Sequence, residues 1–299
     1  MNLRQISLND KRKFREFLGL KEHRLSVYSF ENIYIWKGLF EVSWAVIRES
    51  LCVFFRDKLG CFVYLEPLSG NGGPQAAGEA FKIMDKFNRN KDISRLENIE
   101  EDSVGRYLDS GYACVPKFEE YVCDRKELAG LQGNPFKSKR AAFNYFIKHY
   151  KFEYLPFSAA HKDGCLRLYA EWAGSRTVLA QDPVYKGMQE DSLKSLEILL
   201  SDFNKLDVAG RLVKIDGKIK AFTFGFALGR DTFCVLYEIT DLSIKGLSQF
   251  IFRNFCEELK DYRYINIMDD SGLENLKKVK LSYHPVKLVP SYIVKRRQK

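Results

Sequence analysis

Residues 208–240 read VAGRLVKIDGKIKAFTFGFALGRDTFCVLYEIT. Three apolar runs stand here: Val208–Ile215, Ile219–Leu228 and Asp231–Ile239. They are rich in β-branched and aromatic residues and are parted by Asp216-Gly217 and Gly229-Arg230. Asp-Gly between strand-like runs is among the strongest short hairpin signals, because both central residues of the matching turn need positive φ. The stretch predicts a three-stranded antiparallel meander. Downstream, Lys245-Gly246-Leu247-Ser248-Gln249 opens a helix with Leu247, Phe250, Ile251, Phe255 and Leu259 on one stripe. A short apolar run, Tyr264–Ile267, follows it. The order is meander, glycine-bearing loop, helix, strand.

That order also occurs upstream. Val42–Arg48, Leu51–Arg56 and Cys61–Leu68 predict a first meander, and Ser69-Gly70-Asn71-Gly72-Gly73-Pro74 leads into a helix ending near Asn88. Asp10–Leu18 and Glu100–Leu108 read as helices, and Glu119–Cys123 as the strand closing this half. Beyond Asp124 the pattern predicts helices at Phe136–Tyr150, Leu166–Trp172 and Asp191–Leu206, with a strand at Phe152–Leu155. A last strand, Ser291–Val294, precedes a basic tail. Residues 1–124 and 125–299 thus repeat an order of elements without repeating a sequence. Three antiparallel strands, then a loop whose amides open a helix, is the build of GNAT-type acyl-CoA N-acyltransferases, where a pyrophosphate sits on that helix N-terminus. The expectation is an α+β chain with a tandem GNAT-like fold.

The 299 residues, 45% hydrophobic and 29% charged, suit soluble globular units with real cores. No apolar run approaches the roughly 20 residues that span a bilayer, and the N-terminus lacks a signal pattern, so a cytoplasmic location is expected. Seven scattered cysteines with no CxxC pair read as buried free thiols in a reducing compartment. Four histidines, none spaced near a cysteine pair, speak against a zinc site, and no metal is expected. Residues 1–124 hold 18 Lys and Arg against 19 Asp and Glu, whereas residues 125–299 hold 30 against 20. An anionic partner is therefore expected at the second half, unless the excess is only a solvated lysine surface.

Candidate chemistry gathers at 264–285, YINIMDDSGLENLKKVKLSYHP. Packing alone does not ask for two aspartates at a strand end, the usual place for ligands in α/β architectures. With Asn266 beside them, Asp269 and Asp270 could orient or deprotonate an amine, or Asp270 or Ser271 could simply cap the helix starting near Leu273. Tyr283 and His284 could act as acid or stacking groups, or merely end that helix before Pro285. Glu238, at the end of the third strand, points either into a cleft or at a cation. In the helix Phe136–Tyr150, Phe136, Phe143, Ile147 and Tyr150 form the expected core stripe. Beside it run Lys137, Arg140, Asn144, Lys148 and Lys151, with Lys139 nearby, a face suited to phosphates or to plain solvation. Lys245 and Gly246 could hold a donor's phosphate. Ser69–Gly73 could do so too, though a flexible turn is the simpler account.

These residues resemble a bacterial family, the soluble proteins related to the C-terminal domain of phosphatidylglycerol lysyltransferase. The resemblance runs through Tyr121–Leu131, the Lys139-Arg140 helix, Gly217–Phe226, Asp231–Glu238 and Asn266–Pro285. Its most specific piece is Leu281-Ser282-Tyr283-His284-Pro285. It implies a tandem GNAT fold and, as in better-known relatives, transfer of an aminoacyl group from charged tRNA to a lipid headgroup. Donor binding would fall to Lys139, Arg140, Asn144, Lys148, Lys245 and Gly246, and acceptor chemistry to Asp269, Asp270, Asn266, Glu238 and Tyr283. An acyl-CoA donor, or an anion-binding protein without catalysis, is the alternative. The sequence departs from the family where Ile267 and Met268 replace an Arg-Glu pair, Ala141 an Asn, Lys277 an Arg and Ile239 a Lys.

Overall fold

The Asp216-Gly217 turn forms as its residue types require, with φ of 49° and 73°, and it joins β8 (Val208–Ile215) to β9 (Lys218–Ala227). A computed structural model describes residues 2–70, 73–177 and 183–297. The chain divides into two compact units, Met1–Glu120 with Leu288–Lys299, and Tyr121–Lys287.

In the first unit the meander is β2 (Glu41–Ile47), β3 (Ser50–Arg56) and β4 (Cys61–Val63), with β1 (Arg4–Gln5) outside β2. Helix α3 (Pro74–Phe87) crosses to β5 (Leu96–Glu100), which pairs parallel to β4. Strand β12 (Lys287–Arg296) lies between β5 and β6 (Tyr112–Asp124). The core holds Phe54, Val63, Phe81, Met84, Ile99 and Val294. Helices α1 (Lys11–Leu18), α2 (Phe30–Ile35) and α4 (Glu101–Asp109) complete the unit.

In the second unit the order is β6 (its last four residues), β11 (Tyr264–Asn266), β10 (Thr232–Thr240), β9, β8 and β7 (Glu153–Pro156). Helix α9 (Leu247–Glu258) carries the chain from β10 to β11, which pair in parallel. Around the sheet stand α5 (Arg125–Gly130), α6 (Lys137–His149), α7 (Lys162–Thr177), α8 (Pro183–Asp202) and α10 (Glu274–Leu281). Each unit therefore runs an antiparallel meander, a helix and a parallel strand.

Three readings change. The division falls at Glu120/Tyr121, not Asp124/Arg125, and the C-terminal strand belongs to the first unit because its Ser291, Tyr292 and Val294 pair with β5. Strand β5 was not foreseen. Its buried Glu97 and Glu100 disguise it, yet each meets a cation, Glu97 on Lys117 at 2.6 Å and Glu100 on Lys21 at 3.1 Å. On α6, Phe136, Phe143 and Tyr150 pack into the core as expected, but Phe146, fully buried, takes the place of Ile147, which is 46% exposed.

Candidate active site

The parallel pair β10–β11 holds only from Thr232 and Tyr264 to Cys234 and Asn266. Past Cys234, β10 runs on to Thr240 with β9 as its partner. The side of β10 that β11 leaves is where the chemistry collects. A β-bulge between Val235 and Tyr237 then decides which side chains face it. Val235 packs with Phe252, Phe255 and Cys256 of α9, whereas Leu236 packs beside Phe226 and Leu228. Tyr237 also turns from α9, its hydroxyl meeting Ser195 at 2.5 Å and the Ser192 carbonyl at 2.9 Å. The extra residue restores the phase, and Glu238 comes back to the α9 side.

Glu238 is half-buried as a residue, with protein packed around its carboxyl. Burial pushes its carboxyl up to about 8, against the pull of the Lys139 and Lys280 ammonium groups. Lys139, from α6, donates to Ser282 Oγ at 2.7 Å and lies 4.0 Å from the Tyr283 ring centroid. Burial lowers the pKa of its ammonium, with Glu238 pulling the other way. Tyr283 packs edge-on to Phe252 at 4.8 Å. Burial and the Glu238 charge hold its phenol well above the usual range, so it is a proton carrier at neutral pH. Cys123 and Cys256 lie close by, but burial pushes the Cys123 thiol up to about 12 and raises that of Cys256 too. Neither offers a thiolate nucleophile.

Residues 266–272 form the turn between β11 and α10. Asn266, fully buried, accepts the Met268 N–H on its side chain at 2.7 Å. Met268 and Ser271 adopt φ of 62° and 53°. Asp269 accepts the Ser271 N–H at 2.7 Å, and Asp270 accepts the Gly272 N–H at 2.9 Å and the Tyr121 hydroxyl at 2.5 Å. The two carboxylates are thus engaged in shaping the turn, while the N-cap of α10, Leu273, has no side-chain cap. The buried Lys280 donates to the Ile267 carbonyl and stands 5.9 Å from the Tyr121 ring centroid. Met268 packs with Phe226, Leu228 and Cys234.

Sequence reading did not single out Lys280 or Tyr121. The lysine is one of several on a short helix, and only its 9% exposure sets it apart. Other expected residues lie elsewhere. Arg140 spends its guanidinium on the carbonyls of Leu131 and Gly133, where α5 ends with Leu131 at φ 49°. Asn144 and Lys148 are exposed on α6. Lys245, also exposed, sits 4.5 Å from the Tyr145 ring centroid. Gly246, at φ 85°, is buried, and a Cβ there would overlap the Ala142 carbonyl oxygen, so α6 closes this side of the loop. In the first unit Gly73 donates to Glu66 at 3.3 Å, which places a carboxylate where a phosphate would have to come. Asn71 and Gly72 of that expected loop lie outside the described residues. Among the described residues no group of His, Cys, Asp and Glu could hold a metal ion, and no helix is long and apolar enough to cross a membrane.

A profile of the family described as phosphatidylglycerol lysyltransferase, C-terminal, matches residues 19–295. Among solved structures, a conserved protein of unknown function from Bacteroides thetaiotaomicron VPI-5482 is 27% identical, covers 99% of this chain and 100% of its own, and gives a TM-score of 0.86. L-PGS from Bacillus licheniformis, 16% identical, covers 100% of this chain and 94% of its own, with a TM-score of 0.69. A tandem GNAT protein from the clavulanic acid biosynthesis pathway, 8% identical, covers 100% and 99% with a TM-score of 0.52. At such identities the last two speak for the fold, and that fold is the tandem GNAT arrangement. No curated protein matches.

Proposed function

Because the chain belongs to the family of phosphatidylglycerol lysyltransferase C-terminal domains, we propose that its second unit moves an aminoacyl or acyl group onto an amine or hydroxyl acceptor, with Glu238 taking the acceptor's proton. The observation that carries the reading is the Glu238 carboxyl, raised to about 8 by burial beside Lys139 and Lys280 where β10 and β11 part. A general base works best with a pKa near the operating pH. In the step, the acceptor's nitrogen or oxygen attacks the donor's acyl carbon and its proton passes to the Glu238 carboxylate. The bond to the donor's oxygen or sulfur breaks, and the leaving group takes a proton back. The Lys139 ammonium, close enough to feel the Glu238 charge, would stabilise an oxyanion there, and the Tyr283 hydroxyl is a protonated group within the same cluster. Asn266, Asp269, Asp270 and Lys280 support the reading as positioning residues that hold the turn.

The donor is an aminoacyl-tRNA or, alternatively, an acyl-CoA. Its phosphates would be held by exposed side chains such as Lys148 and Lys245, since the backbone at Gly246 faces α6. The test is to incubate the purified chain with labelled aminoacyl-tRNAs and, separately, acyl-CoAs, and to follow label into amine and hydroxyl acceptors. Glu238→Gln should lower turnover by roughly 10²–10⁴-fold while donor affinity holds. Transfer that survives this substitution unchanged would remove Glu238 from the chemistry.

A further inference from the structure

Lys139 differs from its neighbours on α6. Lys137 and Lys148 are exposed, whereas Lys139 is half-buried. Among the described residues its polar partners are the Ser282 hydroxyl at 2.7 Å and the Tyr283 ring at 4.0 Å, and neither is a carboxylate. A half-buried ammonium with only neutral partners recovers little of the hydration it gives up. Burial accordingly lowers its pKa, against the pull of Glu238 from β10 and Cys123 from β6. That pull is weak at neutral pH, because Glu238, raised to about 8, is mostly protonated and the Cys123 thiol, at about 12, is uncharged. Lys21 and Lys220, each paired with a carboxylate, shift the other way. Burial has the opposite effect on the acids of the cluster. The Tyr283 phenol and the Cys123 and Cys256 thiols are held protonated, which leaves the Lys139 amine as the nucleophile that burial favours.

The hydrogen bonds then aim the amine. Ser282 Oγ donates its own proton to the Val279 carbonyl at 2.6 Å, so towards Lys139 it only accepts. A neutral Lys139 keeps one N–H on Ser282, and Ser282 has no proton left with which to occupy the lone pair. The π-face of Tyr283 attracts N–H and repels a lone pair, so the pair is turned away from both neighbours. We propose that Lys139 is a self-acylation site for acyl thioesters. Its nitrogen attacks the thioester carbonyl carbon, the carbon–sulfur bond breaks, and the leaving sulfur takes up the proton that the nitrogen sheds. The amide that forms is neutral, so the cluster loses one of the two ammonium groups that act on Glu238. Acylation thereby silences the oxyanion support that Lys139 gives. The inference does not rest on Glu238 acting as a base, because the acceptor is the chain itself.

The experiment incubates the full chain with S-acetyl-N-acetylcysteamine from about pH 6 to about pH 11, the span over which lysine amines titrate. Acetylation of each lysine is followed by peptide mass spectrometry, with free Nα-acetyl-lysinamide in the same solution as the reference amine. Lys139 should acetylate several-fold faster than the exposed Lys148 at neutral pH. Its rate should level off at a lower pH than that of the free amine. Glu238→Gln takes away a charge that favours the ammonium, so it should leave Lys139 at least as reactive. That holds even where the variant no longer transfers to an external acceptor, which separates this inference from the one about Glu238. A Lys139 rate no greater than that of Lys148, or one that levels off where the free amine does, would overturn the proposal. So would loss of Lys139 acetylation in Glu238→Gln, which would make the modification a by-product of transfer.

Discussion

Glu238 ties the chemistry of the second unit to its stability. Its pKa stands at about 8 in the folded chain against 4.5 ordinarily, so the fold binds its proton more tightly than the unfolded chain does. Stability is therefore lost as pH rises from about 4.5 to about 8 and is constant beyond, where both states are ionised. Glutamine mimics the protonated form. Glu238→Gln should match the parent near pH 4.5, gain on it steadily up to about pH 8 and hold a constant advantage above, as thermal melts across pH would record. A difference that is flat with pH would mean that Glu238 ionises as it does in water. Tyr121→Phe tests the neighbouring turn. It removes the hydroxyl that Asp270 accepts at 2.5 Å, and should cost about 1–2 kcal/mol in urea titrations because the acceptor is charged. Neither effect was legible in the sequence. Tyr121 reads as one strand aromatic among many, and its partner is 149 residues away.

At the scale of elements, the meanders were legible because their turns advertise themselves. Asp216 and Gly217 both have positive φ, as an Asp-Gly hairpin requires. The bulge at Val235–Tyr237 was not, since an inserted residue leaves no mark in a run where both neighbours are apolar. Yet that bulge puts Glu238 beside α9, so the residue could be named as a candidate from its strand end while its direction stayed open. Strand β5 went unread for a different reason: Glu97 and Glu100 look exposed until the distant Lys117 and Lys21 pair with them. Glycines give an element-scale test. Gly246→Ala meets both a left-handed φ of 85° and the Ala142 carbonyl, and should separate α9 from α6 at a cost above about 2 kcal/mol. Gly217→Ala, at φ 73° with open space around it, should cost only about 1 kcal/mol. Equal losses for the two in denaturant titrations would mean that the close approach of α9 to α6 contributes nothing.

Over the whole chain, the returning strand β12 alters the reading of charge. Cut at residue 124, the sequence places all its positive excess in the second half. Cut where the structure divides it, the first unit holds 22 Lys and Arg against 18 Asp and Glu and the second 26 against 21. The four cations of the C-terminal segment account for most of the change, so overall charge no longer points an anionic partner to one unit, and local groups must do so. The same strand makes the first unit depend on the last residues of the chain. Val289 and Val294 are buried, Ser291 bonds Phe118 at 2.9 Å, and Arg296 grips Asp85 at 2.6 and 2.8 Å. Because β12 lies between β5 and β6, its loss opens two strand edges as well as the core. A chain ending at Lys287 should lose at least about 3 kcal/mol from the two valines alone. Hydrogen exchange should locate that loss at residues 41–63 and 96–100, far before the cut in sequence, with residues 208–240 much less affected. Exchange that rises equally across both segments would mean that the C-terminal strand is not specifically a part of the first unit's core.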